Sequence, residues 1–135
     1  MKHFSLLAVL LVALLCGCGS KGPVDYPVSG KVTWEGQPIS YGYITLMPTD
    51  ASGMAPDSGT ITDGKFDFRA KPGPKRVEVR ADREVGPVDK SMGGAAREQY
   101  IPAHYNDKST LKAEVPEGGK NDYEFALTKD AKPAK

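Results

Sequence analysis

The chain contains few of the residues that nucleophilic or metal chemistry requires. Its 135 residues include two histidines and two cysteines, and of these only His104 lies in the part of the sequence that predicts a folded domain. A Ser-His-Asp triad needs a histidine as its base, and no residue near His104 specifies a nucleophile. Zinc sites take three or four histidine, cysteine or carboxylate ligands, which this chain does not offer in the usual combinations. The sequence therefore predicts a protein that is not an enzyme, with no catalytic residue, metal or cofactor.

The charge balance also limits the class of partner. Lysine and arginine number 18 and aspartate and glutamate 17, for a formal net charge of +1. A nucleic-acid-binding protein usually carries a clear excess of basic residues, so we expect no nucleic-acid partner. The shares of hydrophobic residues (39%) and charged residues (26%) are typical of a globular protein.

One group of residues near the N-terminus could undergo covalent modification. Residues 1–17 begin with a short positive segment and continue with an apolar run over 6–15. The run is shorter than the roughly 20 residues of a membrane span and is typical of a signal peptide. It ends in the sequence LCGC at 15–18, which resembles a bacterial lipobox. That resemblance implies a lipoprotein signal peptide over 1–17, cleavage before Cys18 and a diacylglyceryl group on the Cys18 sulfur.

A diacylglyceryl group on Cys18 would supply the membrane anchor by itself, because two acyl chains are enough for stable anchoring. Gly19 stands where the lipoprotein sorting rule places Asp for inner-membrane retention, so the resemblance favours the outer membrane over the inner membrane. The alternative is an ordinary secretory signal with two incidental cysteines. Residues 18–27 are expected to be the lipidated cysteine and a tether, residues 28–128 the domain, and residues 129–135 a polar tail.

The domain is predicted to consist of strands, because apolar and polar side chains alternate along it and no segment shows a period of 3.6 residues. The alternating segments are 28–34, 43–48, 58–62, 65–70, 76–83, 111–115 and 123–127. Asp63-Gly64 between two of them is typical of a two-residue hairpin turn. One apolar face per strand predicts an all-β, seven-stranded antiparallel β-sandwich made of two packed sheets.

The connection over residues 84–110 is far longer than the usual connection of about 2–6 residues. Its first part, 84–99, is polar and glycine-containing, and its sequence leaves open whether it is ordered. Its second part, 100–105, is aromatic and apolar, and we expect it to pack back on the sandwich as a clip over a sheet edge. In that interpretation Tyr105 is a buried anchor, whereas the alternative is a ligand site.

Four side chains are candidates for binding: Tyr41, Tyr100, His104 and Tyr105. Tyrosines at a surface can form a platform on which a sugar ring stacks, so a carbohydrate-binding module is the alternative to a structural or protein-interaction module. Trp34 is in phase with the apolar face of the first strand and is expected in the core, which leaves Tyr41 as the better exposed aromatic candidate.

Several stretches resemble the carboxypeptidase regulatory-like, or transthyretin-like, β-sandwich domain. PVSGKVT at 27–33, EGQPI at 35–39 and GYITLMP at 42–48 follow the opening pattern of that family. TDGKF at 62–66 is similar to a shortened form of its turn. IPAHYNDKSTL at 101–111 is similar to an element of small bacterial lipoproteins that carry this domain.

This resemblance, which extends over residues 27–128, implies the sandwich fold and a non-catalytic accessory or structural role in the cell envelope. The family also includes a hydrolase of 5-hydroxyisourate, which requires several histidines and a C-terminal Tyr-Arg-Gly-Ser. The last predicted strand contains YEFA at 123–126, so hydrolysis is the weakest alternative. We therefore expect a lipid-anchored module that contacts the membrane through its anchor and an envelope protein or a glycan through its domain.

We expect radiolabelled palmitate to enter the protein in growing cells and to be absent from the Cys18→Ala variant, because the Cys18 sulfur is the predicted acceptor. Cys16→Ala is the matched control and should retain the label. Labelling that persists in Cys18→Ala would exclude the anchor.

Overall fold

The computed structural model describes residues 22, 24–91, 93–119 and 121–130. The predicted signal peptide, Cys18 and most of the tether lie outside the described residues, as does the end of the tail. Within the described part, no helix has the length and apolarity that a membrane crossing requires. The elements in chain order are β1 (Tyr26–Trp34), β2 (Gln37–Pro38), β3 (Tyr41–Pro48), β4 (Asp57–Thr62), β5 (Lys65–Ala70), β6 (Gly73–Arg80), β7 (Asp82–Asp89), β8 (Gly94–Gln99), a 3-10 helix (Ala103–Tyr105), β9 (Lys112–Val115) and β10 (Asn121–Leu127).

Eight strands form one curled sheet, in the order β10-β1-β5-β4-β3-β6-β9 with β2 beside β1. β4 and β5 pair only at Thr62 and Lys65, next to the Asp63-Gly64 turn, where both turn residues have positive φ. The sheet therefore bends at this hairpin, and β10, β1 and β5 face β4, β3, β6 and β9. The fold is all-β and sandwich-like, as the alternation predicted.

One strand pairing differs from the predicted antiparallel sandwich. β1 and β10 run parallel, from Val28 opposite Asn121 to Trp34 opposite Leu127. The alternation of side chains is the same for either direction of a strand, so it cannot specify whether a pair is parallel or antiparallel. The prediction that all strands are antiparallel is therefore wrong for this pair. The predicted number of seven strands is also wrong, because the described residues contain three more, β2, β7 and β8.

The core fills the space between the two halves of the sheet. Val28 and Val32 of β1 are fully buried, and Phe66 of β5 stacks on Phe125 of β10 with ring centroids 6.3 Å apart. The buried apolar residues are Val28, Val32, Ile39, Ile44, Leu46, Ile61, Phe66, Ala70, Val77, Val79, Ala81, Ile101, Tyr105, Val115, Phe125 and Leu127. Trp34 is half-buried and packs against this cluster, as its phase in β1 predicted.

The core also holds one charged pair. Lys75 of β6 is in phase with the buried Val77 and is 1% exposed, and its Nζ lies 3.6 Å from Oδ2 of the buried Asp57. The Asp57 carboxylate also accepts hydrogen bonds from the backbone N–H and from the side-chain amine of Lys71. The bond with the side-chain amine raises the pKa of Lys71. Lys75 Nζ makes no hydrogen bond within the described residues, so removal of Asp57 would leave a buried ammonium group without its ion-pair partner, a change that typically costs about 3–5 kcal/mol.

The two edge strands of the sheet come together on the side opposite the hairpin. The Tyr123 hydroxyl of β10 donates a hydrogen bond to the backbone carbonyl of Glu114 in β9. This bond closes the gap between the two halves of the sheet.

We expect Gly30→Ala to lower the free energy of unfolding by about 1–3 kcal/mol, because the added methyl has no room. A Cβ at Gly30 would lie 2.1 Å from the Tyr123 carbonyl oxygen and 2.7 Å from the Phe66 ring. Glu124→Ala on the exposed face of β10 is the control and should change stability by less than about 0.5 kcal/mol. Urea denaturation measures both, and equal stabilities for the two variants would contradict the packing of β1 against β10.

Candidate functional site

Residues 84–99, whose order the sequence left open, belong to a two-stranded ribbon of β7 and β8 over 82–99, called here the β7–β8 arm. Its register places Arg83 opposite Glu98 and Glu84 opposite Arg97, with a bulge between Val85 and Asp89. Arg83 Nη2 lies 3.2 Å from Glu98 Oε2. Nearly every side chain of the arm is exposed, and Val88 is 69% exposed. In the described part of the chain, no other strand pairs with either edge of the arm.

The base of the arm is fixed to the sandwich. Ala81, just before β7, is buried, and its carbonyl accepts a hydrogen bond from the Tyr100 N–H at 3.1 Å. The Gln99 side chain accepts a hydrogen bond from the Ile101 N–H at 2.8 Å. The arm therefore leaves the domain in a defined direction even though its own side chains contribute little to the core.

The aromatic segment after the arm packs on the sandwich, as predicted. Ile101 and Tyr105 are each 4% exposed. The Tyr105 hydroxyl donates to the Thr128 carbonyl at 3.1 Å and accepts from the Thr128 N–H at 3.0 Å, which fixes it to the end of β10. The Asn106 side-chain amide bonds the carbonyls of Ile101 and Pro102 and closes the 3-10 turn. We keep the name clip for residues 100–105.

An aromatic cluster connects the clip to β1. Trp34 makes edge-to-face contacts with Tyr100 and Tyr105, at centroid distances of 6.2 and 6.4 Å. The Arg83 guanidinium lies 5.8 Å from the centroid of the Tyr100 ring. Burial raises the pKa of Tyr100. Beside this cluster is a cleft of about 370 Å³, which is lined by Trp34, Arg83, Glu98, Gln99, Tyr100, Pro102 and Lys129.

A second aromatic surface lies at the other face of the arm. Tyr41 and Tyr43 of β3 are exposed, their hydroxyls are 2.7 Å apart, and their rings meet edge to face at 5.5 Å. The hydrogen bond with Tyr41 raises the pKa of Tyr43. The Arg97 guanidinium lies 5.8 Å from the Tyr41 ring centroid. Arg83 and Arg97 occupy opposite faces of the ribbon. Each face of the arm therefore has a guanidinium close to a tyrosine ring, Tyr100 on one face and Tyr41 on the other.

The four residues predicted to bind a ligand are thus divided among different environments. Tyr41 is on the exposed surface, Tyr100 borders the cleft, and Tyr105 is buried, so the three tyrosines do not form one sugar platform. His104 packs on Tyr105 at a ring distance of 4.2 Å, and its buried Nε2 has no hydrogen-bond partner among the described residues. Their assignment to binding stays a prediction.

Sequence reasoning missed the charged residues of the arm. The signal was present in the repeated Arg-Glu pairs at 83–84 and 97–98, which become complementary when the chain folds back on itself. Tyr43 alternates with the buried Ile44 and lies beside Tyr41 on the exposed face of β3.

A scan of protein-family models finds no match, and a search of curated proteins finds no similar sequence. A search of solved structures finds a DUF3823 family protein from Parabacteroides merdae ATCC 43184, with 16% sequence identity and a TM-score of 0.46. The likeness covers 79% of this chain and 47% of that one, so the chain spans less than half of that protein's length.

We expect Tyr105→Ala to lower the free energy of unfolding by about 3–5 kcal/mol, because it removes a large buried side chain. Tyr105→Phe keeps the ring but loses both hydrogen bonds to Thr128, and should cost about 1–3 kcal/mol. Tyr43→Phe on the surface is the control, with a change below about 0.5 kcal/mol. Thermal unfolding measures all three, and a Tyr105→Ala variant that melts like the parent would contradict the role of the clip.

Proposed function

We propose that the protein is a lipid-anchored, non-catalytic interaction module of the cell envelope, which binds a partner protein through the β7–β8 arm. The observation that carries the proposal is the exposure of the arm on both faces, together with two strand edges that no other strand of the described chain covers. Such edges can accept a further strand from a binding partner.

The arm contributes little to the stability of the fold, so stability does not explain why the protein has it. Ordering the backbone of one residue costs roughly 1–2 kcal/mol, and a two-stranded hairpin is marginal by itself. The arm recovers little of this cost from the core, since Val85, Gly94 and Ala95 are its only half-buried residues among those described. The alternating charges at 83–84 and 97–98 oppose unspecific association of its edges, which favours a selected partner over aggregation.

The place in the envelope is supported by sequence alone. The LCGC motif at 15–18 supports lipidation at Cys18, and Gly19 supports a position at the outer membrane. The stretches over 27–128 support membership of the carboxypeptidase regulatory-like or transthyretin-like group. A tether from Cys18 to the start of β1 would hold the domain close to the membrane and leave the arm accessible.

Carbohydrate binding is the second candidate, and the exposed pair of Tyr41 and Tyr43 favours it. Sugar rings stack on exposed aromatic faces, and the paired hydroxyls offer both donors and acceptors. A glycan array separates the two candidates: glycan binding that is lost in Tyr41→Ala and kept when the arm is replaced would favour the carbohydrate function over the arm.

The proposal is tested by photo-crosslinking in intact cells, with a photoreactive residue at Val88 near the tip of the arm. Glu117, in an exposed loop on the sandwich, is the control position. We expect a discrete protein adduct from Val88 and none from Glu117. Adducts from Glu117 alone would contradict the proposal.

A variant in which a short Gly/Ser linker replaces residues 86–97 tests whether partner binding is lost when the arm is removed. The melting temperature should barely change, because the closure entropy of a loop varies slowly with its length. The variant should no longer co-purify with the protein that is crosslinked at Val88. Full retention of that partner, in a variant that folds, would show that the arm is not the binding element.

A further inference from the structure

We propose that the groove on the outer face of β1, β4 and β5 binds an acidic saccharide, meaning a sugar that carries a carboxylate or a phosphate. The groove lies beside the corner where β4 separates from β5, and its volume is about 490 Å³. Its lining consists of Ser29, Gly30, Lys31, Thr60, Thr62, Lys65, Phe66, Asp67 and Asp122. The groove adjoins the tyrosine pair, because Thr60 and Thr62 are directly opposite Tyr43 and Tyr41, but none of its lining residues belongs to the arm, and the site does not depend on the function proposed for the arm.

The groove has a basic row across the strands. Lys31 of β1 is directly opposite Lys65 of β5, which in turn is opposite Thr62 of β4. The side chains of directly opposed residues project from the same face of a sheet, so the two ammonium groups share one end of the groove. Neither lysine forms an ion pair within the described part of the chain.

Like charges directly opposite each other weaken a sheet, and of the two lysines only Lys31 has an acidic residue, Glu124 of β10, opposite it on its other side. Lys65 has the uncharged Thr62 opposite it on its other side, so its repulsion by Lys31 is not offset there, and such departures from a local rule tend to mark functional positions. An anion placed between the two ammonium groups would remove the repulsion and form two charge-assisted hydrogen bonds. The basic row therefore specifies the anionic group of the ligand.

A second row across the strands, made of Asp67, Ser29 and Asp122, can form hydrogen bonds with the hydroxyl groups of a ligand. Ser29 is opposite Asp67 on one side and Asp122 on the other, and its hydroxyl lies 3.5 Å from Asp122 Oδ1. Ionised carboxylates only accept hydrogen bonds, and sugar hydroxyls are suitable donors. Two residues along a strand separate the rows, a distance of about 7 Å. A ligand with an anion at one end and hydroxyls at the other satisfies both rows, whereas a simple anion would face the two aspartates unfavourably.

Calorimetric titration of the purified domain tests the site with four probes: a hexuronate oligomer, a hexose phosphate, a neutral hexose oligomer of equal length, and inorganic phosphate. We expect one of the two acidic saccharides to bind roughly tenfold or more tightly than the neutral oligomer and inorganic phosphate, because hydrogen bonds to charged groups supply that difference. The preferred saccharide identifies whether the anion is a carboxylate or a phosphate. Absence of binding by both saccharides, or equally tight binding of inorganic phosphate, would overturn the proposal.

Variants distinguish a built site from unspecific attraction. Lys65→Gln and Asp67→Asn should each weaken binding of the preferred saccharide about tenfold, whereas Lys108→Gln, a control at an exposed lysine outside the groove, should not change it. At low salt, Lys65→Gln should also raise the melting temperature by about 1–5 °C, since it removes the repulsion from Lys31. Unchanged binding in Lys65→Gln, or a lower melting temperature for that variant, would contradict the site.

Discussion

The hydroxyl of Tyr105 is the point on which the arrangement of the domain depends. By donating to the carbonyl of Thr128 and accepting from its N–H, it fixes the clip to the end of β10. β10 in turn lies parallel to β1, whose last residue, Trp34, packs edge to face on Tyr105. The clip end of the long connection between β6 and β9 is therefore part of the core. No disulfide can replace this contact, because the only cysteines in the sequence are Cys16 and Cys18.

Because the clip packs on the sandwich, the domain can be stable although the arm is exposed. Ala81 and Ile101 are buried on either side of the arm, so its base is held while the side chains between them face solvent. Arg83 and Arg97 approach Tyr100 and Tyr41 from opposite faces of the ribbon, which limits how the base can turn. The tip is constrained only by the pairing of β7 with β8. An element built this way can adapt to a partner without disturbing the sandwich.

The sequence predicted the parts of the fold that have an apolar face. Alternation identified β1, β5 and β6 because each has buried side chains on one side. It could not identify the direction of β10 beside β1, since the pattern is the same either way. The arm has no apolar face, and its strands are held by backbone pairing that leaves little trace in composition. The candidate site was predicted in part: the clip was expected to be packed, but the basic row of Lys31 and Lys65 results from strand register, which sequence alone does not specify.

Amide hydrogen exchange on the folded protein measures the opening free energy of each segment, and therefore tests whether the clip and the arm differ in local stability. We expect the amides of β1, the amides of β10 that bond to β1, and the amide of Tyr105 to exchange only through global unfolding. The amides over 83–98 should exchange by local opening, at a small fraction of the global free energy. If the arm were protected as strongly as β1, or if Tyr105 exchanged as fast as the arm, the division between a stable clip and an accessible arm would be contradicted.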